Sequence, residues 1–340
     1  MLPIVYNYKA GASIHKMTKD LDCGPIYYQE EIDYSFPTTG IDLYEGNGLG
    51  DFKDVTINWT DQRHTFGMSH FFADFNTDGQ LDFYSVGMSS TTARRLESMG
   101  LGRKEHKEID AMRIPMSYGN RLYLSTGSGF EQPPFNDQVA RTGWSWGCTA
   151  FDFDNDADKD IYVANGHQSG KSAQDYCTTF WCHDIYTGDS QNDSSVEQLF
   201  STSMAKLINR EISWNGFEHN ALLINRKEKG FFEAGFLMGI AFEGDGRVVL
   251  SDDFNNDGQQ DLVLVEVRSD RNGNAFQTLR VFANRVETSN HWIEIDNSSY
   301  SLVSQIQEGV SAGWSLDSLI KSSRPYFVLS SITNTSSKGV

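Results

Sequence analysis

The chain of 340 residues carries 46 Asp plus Glu against 28 Lys plus Arg, a formal net charge of -18, which argues against nucleic acid or an anionic membrane as partner because both would repel it. Hydrophobic residues at 39% and aromatics at 13% suit one large or two ordinary packed domains. No run approaches the roughly 18 to 20 apolar residues that cross a bilayer, so no membrane span is expected. Met1-Leu-Pro-Ile-Val5 has neither the basic nor the long apolar part of a signal peptide, which leaves either a cytosolic chain or one whose true start lies elsewhere.

The first forty residues contain Gly11-Ala-Ser-Ile-His-Lys-Met17, then Leu21-Asp-Cys-Gly-Pro-Ile26 and Gln29. This run resembles the middle of a formyltransferase of the methionyl-tRNA or sugar-nucleotide type, and the resemblance implies for Asp22 the place of the catalytic aspartate in an Asp-x-Gly turn. The preceding nucleotide-fold half of that family, with its Asn and His, has no counterpart, and His15 reads as a lone structural strand histidine. One aspartate without an activating partner cannot supply formyl transfer. Residues 1-41 are therefore expected to be a formyltransferase-like remnant, either a natural fusion or a misjoined frame, with no catalytic residue assigned.

From residue 42 the grammar changes. Asp42-Leu-Tyr-Glu-Gly-Asn-Gly48 leading to Asp51-Phe-Lys-Asp-Val-Thr56 reads as the second half of a four-stranded unit. Three acidic loops then follow in one register. They are Asp74-Phe-Asn76-Thr-Asp78-Gly-Gln80-Leu-Asp82, Asp152-Phe-Asp154-Asn-Asp156-Ala-Asp158-Lys-Asp160 and Asp253-Phe-Asn255-Asn-Asp257-Gly-Gln259-Gln-Asp261. Oxygen ligands at positions 1, 3, 5 and 9, with position 7 able to join, describe a calcium cage and predict about three Ca2+ sites. Magnesium demands a more regular octahedron, and zinc prefers the His and Cys that these loops lack. The competing reading is solvated Asx-type turns without an ion. Gly79 and Gly258 suit the backbone of position 6, whereas Ala157 makes the second loop the most strained as well as the most charged.

Each loop joins two strand-like runs: His70-Ala73 and Phe83-Gly87, Cys148-Phe151 and Ile161-Asn165, Arg247-Leu250 and Leu262-Glu266. A second pair follows each hairpin: Arg121-Ser125 with Phe130-Glu131, Ala221-Asn225 with Phe231-Glu233, and Leu279-Ala283 with His291-Ile295. Four antiparallel strands per repeat is the unit of a propeller blade, so the fold class expected is all-β, a complete or partial β-propeller with calcium-binding hairpin loops. An open blade edge would favour self-association.

Loop spacing well above the roughly 40 to 50 residues of a compact blade requires insertions, placed at 89-118 and 167-216. The first carries a short helix candidate, Ala93-Arg-Arg-Leu-Glu-Ser-Met-Gly100. The second holds Cys177-Thr-Thr-Phe-Trp-Cys182, a spacing in an expected loop that makes Cys177 and Cys182 a candidate disulfide. His167, His183 and Asp184 are the only attractive catalytic candidates there, though polar residues in such a loop are more often structural. Trp144 and Trp146 could form a sugar platform, but in a repeat they are more often packing residues.

The loops, together with Gly143-Trp-Ser-Trp-Gly147, Tyr162-Val-Ala-Asn-Gly-His167, Trp214-Asn-Gly-Phe-Glu-His-Asn220 and Asp245-Gly-Arg247, resemble the FG-GAP/VCBS repeats of the cartilage-acidic-protein-like group that ends in an ASPIC/UnbV segment. The resemblance covers about residues 42-295. Asn290-His-Trp-Ile293 resembles the entry to a partial UnbV-like segment over 296-340. It implies a secreted, extracellular or periplasmic β-propeller in which calcium is structural, serving as a binding or adhesion module toward a protein or glycan ligand. The alternatives are a chimeric or truncated frame, or an enzyme related to the formyltransferases.

Overall fold

The computed structural model describes residues 10–15, 26–32, 43–47, 51–60, 65–102, 107–186, 194–269, 275–288 and 290. The chain divides into two compact units, Met1–Gly40 and Ile41–Val340. In the first, β1 (Ala10–His15) pairs antiparallel with β2 (Ile26–Ile32), with an irregularity in register between Ile14 and His15. Asp22 lies outside the described residues, so the proposed catalytic-aspartate position has no structural description.

The second unit is mostly β. A short hairpin of β3 (Tyr44–Gly46) and β4 (Phe52–Asp54) leads into α1 (Thr56–Trp59). The first sheet contains, in spatial order, β5 (Gly67–Ala73), β6 (Asp82–Gly87), β7 (Arg121–Ser125) and β8 (Phe130–Glu131). The second contains β9 (Ser145–Phe151), β10 (Asp160–Asn165), β11 (Ala221–Asn225) and β12 (Phe231–Glu233), again in chain order. A third has β13 (Asp245–Asp252), β14 (Asp261–Ser269) and β15 (Ala275–Phe282). The fourth strand expected at His291–Ile295 lies outside the described residues. Among the described residues the sheets do not close into a ring.

Alternation along the strands decides how the sheets stack. One row of side chains (Tyr84, Val86 and Leu122) faces Ile161, Val163 and Leu223 of the second sheet in one core. The next residues along β10 and β11, Tyr162, Ala164 and Leu222, point the other way and meet Val249, Leu262 and Leu264 of the third sheet. Period-2 geometry therefore lets the second sheet serve two cores, one per face. That is why every residue of β10 is buried and why this strand reads as a continuous apolar run rather than an alternating one. The first strands form an adjacent series, with β9 packed between β5 and β13.

The insertions are partly helical. α2 (Thr91–Ser98) starts where Ser90 Oγ accepts from Ala93 N, and Gly100 follows its end at φ 65°. This matches the helix expected at 93–100, with the hydroxyl satisfying one of the unpaired amides of the first turn. α3 (Lys107–Met116) follows, and α4 (Asp137–Ala140) lies after β8. In the second insertion, α5 (Cys177–Tyr186) replaces the loop expected around the cysteine pair, and α6 (Ser194–Ile208) follows. Ala93, Leu96, Cys177 and Trp181 share a core with Met88 and Trp144.

This helix corrects the candidate disulfide. Cys177 and Cys182 both lie on α5 and no disulfide joins them. Residues five apart on an α-helix are separated by about 140° around the axis, which points their Cβ atoms apart. Cys177 is buried with its Sγ 3.5 Å from Ser90 Oγ.

Candidate metal centre

The three acidic loops have one backbone geometry. In each, the first aspartate folds back over the turn: Asp74 accepts from Asp78 N and Gly79 N, Asp152 from Asp156 N and Ala157 N, Asp253 from Asp257 N and Gly258 N. The fifth-position aspartate then accepts from the seventh-position amide, at Asp78 from Gln80, Asp156 from Asp158 and Asp257 from Gln259. Positions 4 and 6 are left-handed throughout: Thr77 and Gly79, Asn155 and Ala157, Asn256 and Gly258. Ala157 reaches φ 71° where its two counterparts are glycine at φ 84°, a conformation costly for a residue with a Cβ.

The ninth-position aspartates point inward and are almost fully buried. Asp82 accepts from Phe75 N and Ser125 N, and Asp160 from Phe153 N and Asn225 N, all at 2.8 Å. Asp261 accepts from Asn284 N at 2.8 Å. Each thus ties its loop to the end of the third strand of its own sheet. Their remaining lone pairs are what they could offer an ion.

The second loop concentrates charge. Carboxylate oxygens of Asp152, Asp154 and Asp156 all lie within 4.8 Å of one another. Asp158 is 1% exposed, and its Oδ2 accepts no hydrogen bond. Lys227 Nζ stands 3.9 Å from Asp156 Oδ2 and 3.9 Å from Asp158 Oδ2. Burial, then repulsion from Asp156, pushes Asp158 up to about 7. Burial pushes Asp160 up to about 8 and Asp82 up to about 6. Crowded, half-desolvated carboxylates raise one another in this way, and a hard divalent cation would remove the penalty. In the first and third loops position 3 is an asparagine, Asn76 and Asn255, so fewer carboxylates converge and an amide oxygen stands in. Gln80 and Gln259 occupy position 7 of those loops, where the second has Asp158. The donor set, oxygen only, fits calcium better than zinc.

Two residues that the sequence does not single out lock this arrangement. Asn225 donates from Nδ2 to Phe75 O and to Lys159 O, while Asn284 donates from Nδ2 to Phe153 O. Each asparagine ends the third strand of one sheet and reaches into the loop of the sheet before it. The signal was present in the equivalent placement of Asn225 and Asn284, each directly after an apolar run, but an asparagine at a strand end more often marks an ordinary turn.

The opposite ends of β9 and β10 carry a different cluster. The His167 ring stacks on Trp144 at 4.3 Å and on Trp146 at 5.3 Å, and meets Trp214 edge-on at 5.0 Å. Arg247 lies over the Trp146 ring at 4.6 Å and donates to Gly166 O and His167 O. Glu218 accepts from Trp144 N at 2.6 Å and from Asn215 Nδ2 at 3.0 Å. Burial pushes Glu218 up to about 7, and burial with the Arg247 charge holds His167 down to about 4. Trp144 is 4% exposed. Its face is covered by protein and cannot be a sugar platform, so it packs the strand ends as a repeat residue would. His183 and Asp184 lie on α5, and their side chains are outside the described ones.

Among the described residues no helix is long and apolar enough to cross a membrane. No protein-family model matches the chain, and no curated protein matches it.

Proposed function

We propose that residues 42–295 are a calcium-stabilised repeat module of propeller-blade type, serving as an extracellular binding or adhesion domain in which calcium is structural. The observation that carries the calcium reading is the threefold recurrence of one loop geometry, with the second loop bringing Asp152, Asp154 and Asp156 together and adding a buried Asp158 oxygen that accepts no hydrogen bond. In that loop these four side chains, with Asp160 behind them, would hold the ion. In the others the holders are Asp74, Asn76, Asp78, Gln80 and Asp82, and Asp253, Asn255, Asp257, Gln259 and Asp261. The bound ion would supply charge neutralisation and fix each hairpin bend, tying loop geometry to sheet stacking. A cage saturated by protein oxygens leaves no position for an attacking water, so the loops carry no catalytic proposal.

Calorimetric titration with calcium, alongside thermal melting in calcium and in chelator, tests this directly. Binding near three ions per chain with a higher Tm in calcium is expected. An unchanged melt with no heat of binding would sink it.

A second reading concerns residues 1–41 alone. The separation of a compact unit at Met1–Gly40 favours a formyltransferase-like piece joined to the repeat module. Genomic DNA read across codons 40 to 50 decides between a true fusion and a misjoined frame, and a formyl-transfer assay on Asp22→Asn tests for surviving activity.

A further inference from the structure

The third sheet has one face that nothing among the described residues covers. Register makes the comparison with the earlier sheets direct. Two residues after the ninth-position aspartate stand Tyr84, Tyr162 and Val263, and on the third strands paired with them stand Leu122, Leu222 and Val281. In the first two sheets these positions are fully buried by the following sheet. In the third, Val281 is 60% exposed, as are Leu250 at 59% across the sheet and Leu279 at 64% beside it. The second loop position tells the same story. Phe75 is 3% and Phe153 7% exposed, whereas Phe254 is 49% exposed.

The strands pair Leu250 with Val263 and Val263 with Val281, and Val248 with Val265 and Val265 with Leu279. These two rows form a contiguous aliphatic patch with no charged side chain in it. The charges of the sheet interior, Glu266 with Arg280, point to the opposite face. With Phe254 at its end, the patch offers on the order of 600 Å² per copy. That approaches the ~800 Å² per partner of a standard interface and stands at the top of the roughly 300 to 600 Å² of the largest apolar patch on a typical monomer.

We propose that this face of β13–β15 docks on the same face of a second copy of the chain, making a two-fold dimer in which two sheets pack face to face. An uncharged aliphatic surface is complementary to itself, and an isologous contact closes after two copies. The net charge of -18 does not oppose it. A two-fold axis lying in the interface plane and perpendicular to the strands places the acidic loops 253–261 of the two copies at opposite ends, separated by about 25 Å for a strand of this length. That is about three times the ~8 Å screening distance at physiological salt. The proposal rests on reading the three sheets as successive repeats, and it assigns association to the face of the last sheet rather than to a strand edge.

Size-exclusion with light scattering on the full 340-residue chain, in calcium and across a concentration series, tests it. A dimer mass is expected for the wild type and a monomer mass for Leu250→Lys/Val281→Lys and separately for Leu279→Glu, each with unchanged far-UV circular dichroism. A wild-type monomer at every concentration overturns the proposal, and so does a dimer that survives both variants. A chain that dimerises only when truncated after residue 290 overturns it too, by showing that its own C-terminal segment is the occupant. Calcium titration of the same samples separates the outcomes, since a dimer that binds no calcium sinks the metal reading and leaves the interface standing.

Discussion

The side-chain amide of Asn225 donates to the main-chain carbonyl of Phe75 at 2.8 Å, across 150 residues of sequence. Asn284 repeats the bond one sheet later, to Phe153 O at 2.8 Å. The acceptor in each case directly follows the first aspartate of an acidic loop, so each sheet holds the loop of its predecessor in place. Both bonds are buried, and a loop carbonyl stripped of its partner there loses solvation as well as the bond.

Asn225→Ala and Asn284→Ala should each lower stability by about 1 to 3 kcal/mol. Asn225 carries the larger effect because it also bonds Lys159 O. Urea unfolding followed by circular dichroism checks this, and midpoints within error of wild type would show that the clamps contribute nothing.

Ala157→Gly should stabilise the chain by up to about 1 kcal/mol, because removing a Cβ at a left-handed position relieves more than the added freedom of the unfolded glycine costs. Ala157 sits at φ 71°, where the first and third loops have glycine. The reverse change, Gly79→Ala, should destabilise. Thermal melts of both variants settle the sign.

Lys227 Nζ stands 3.9 Å from each of two carboxylates of the second loop, Asp156 and Asp158. Lys227→Met should tighten calcium binding at this loop several-fold, on the order of 3-fold, by removing a competing charge. Without calcium the same variant should be less stable, since the carboxylates then repel without relief. Titration calorimetry and a chelated melt read the two effects, and equal shifts in the same direction would contradict the assignment.

Glu218 gives a pH signature with a definite sign. Burial raises its folded value to about 7 from an ordinary 4.5, so the native state holds the proton more tightly than the unfolded chain. Its contribution to stability is therefore full below about pH 4.5 and is lost as pH rises toward 7, amounting to about 3 kcal/mol at most. Glu218→Gln should remove that slope, with the amide able to keep both contacts once Asn215 turns its unengaged oxygen toward it. His167 acts in the opposite direction. Its value is held at about 4 by burial and by Arg247, so stability from this ring is present above pH 6.5 and falls as pH drops toward 4. Stability-versus-pH curves for wild type, Glu218→Gln and His167→Gln should differ in slope over these windows. Parallel curves would remove both groups from the account.

The loops and the strands flanking them were legible because their information is local. Aspartates at the two ends of a nine-residue loop fix a bend, and the apolar runs beside them reveal period and length. The helix α2 was legible for a similar reason, since Gly100 closes it where the pattern ends. Cys177 and Cys182 were misread because their spacing permits a local bridge in a loop and forbids one on a helix, and a run as mixed as Thr-Thr-Phe-Trp does not announce the helix. Trp144 and His167 lie far apart in sequence, and nothing short of the fold stacks them at 4.3 Å.

Sequence by itself determined a threefold acidic loop, the hairpins around it and a change of grammar near residue 41, all consequences of contacts within a few residues. Only the tertiary structure decided which aspartates are buried against the end of a third strand, such as Asp82 and Asp160, and which converge on a point, such as Asp152, Asp154 and Asp156. It alone distinguished the buried Phe75 and Phe153 from the exposed Phe254, three residues at the same position of their loops. The physical reason is that burial belongs to the neighbouring sheet. A loop of nine residues can specify its own torsions, but whether its phenylalanine leaves water depends on strands more than a hundred residues away.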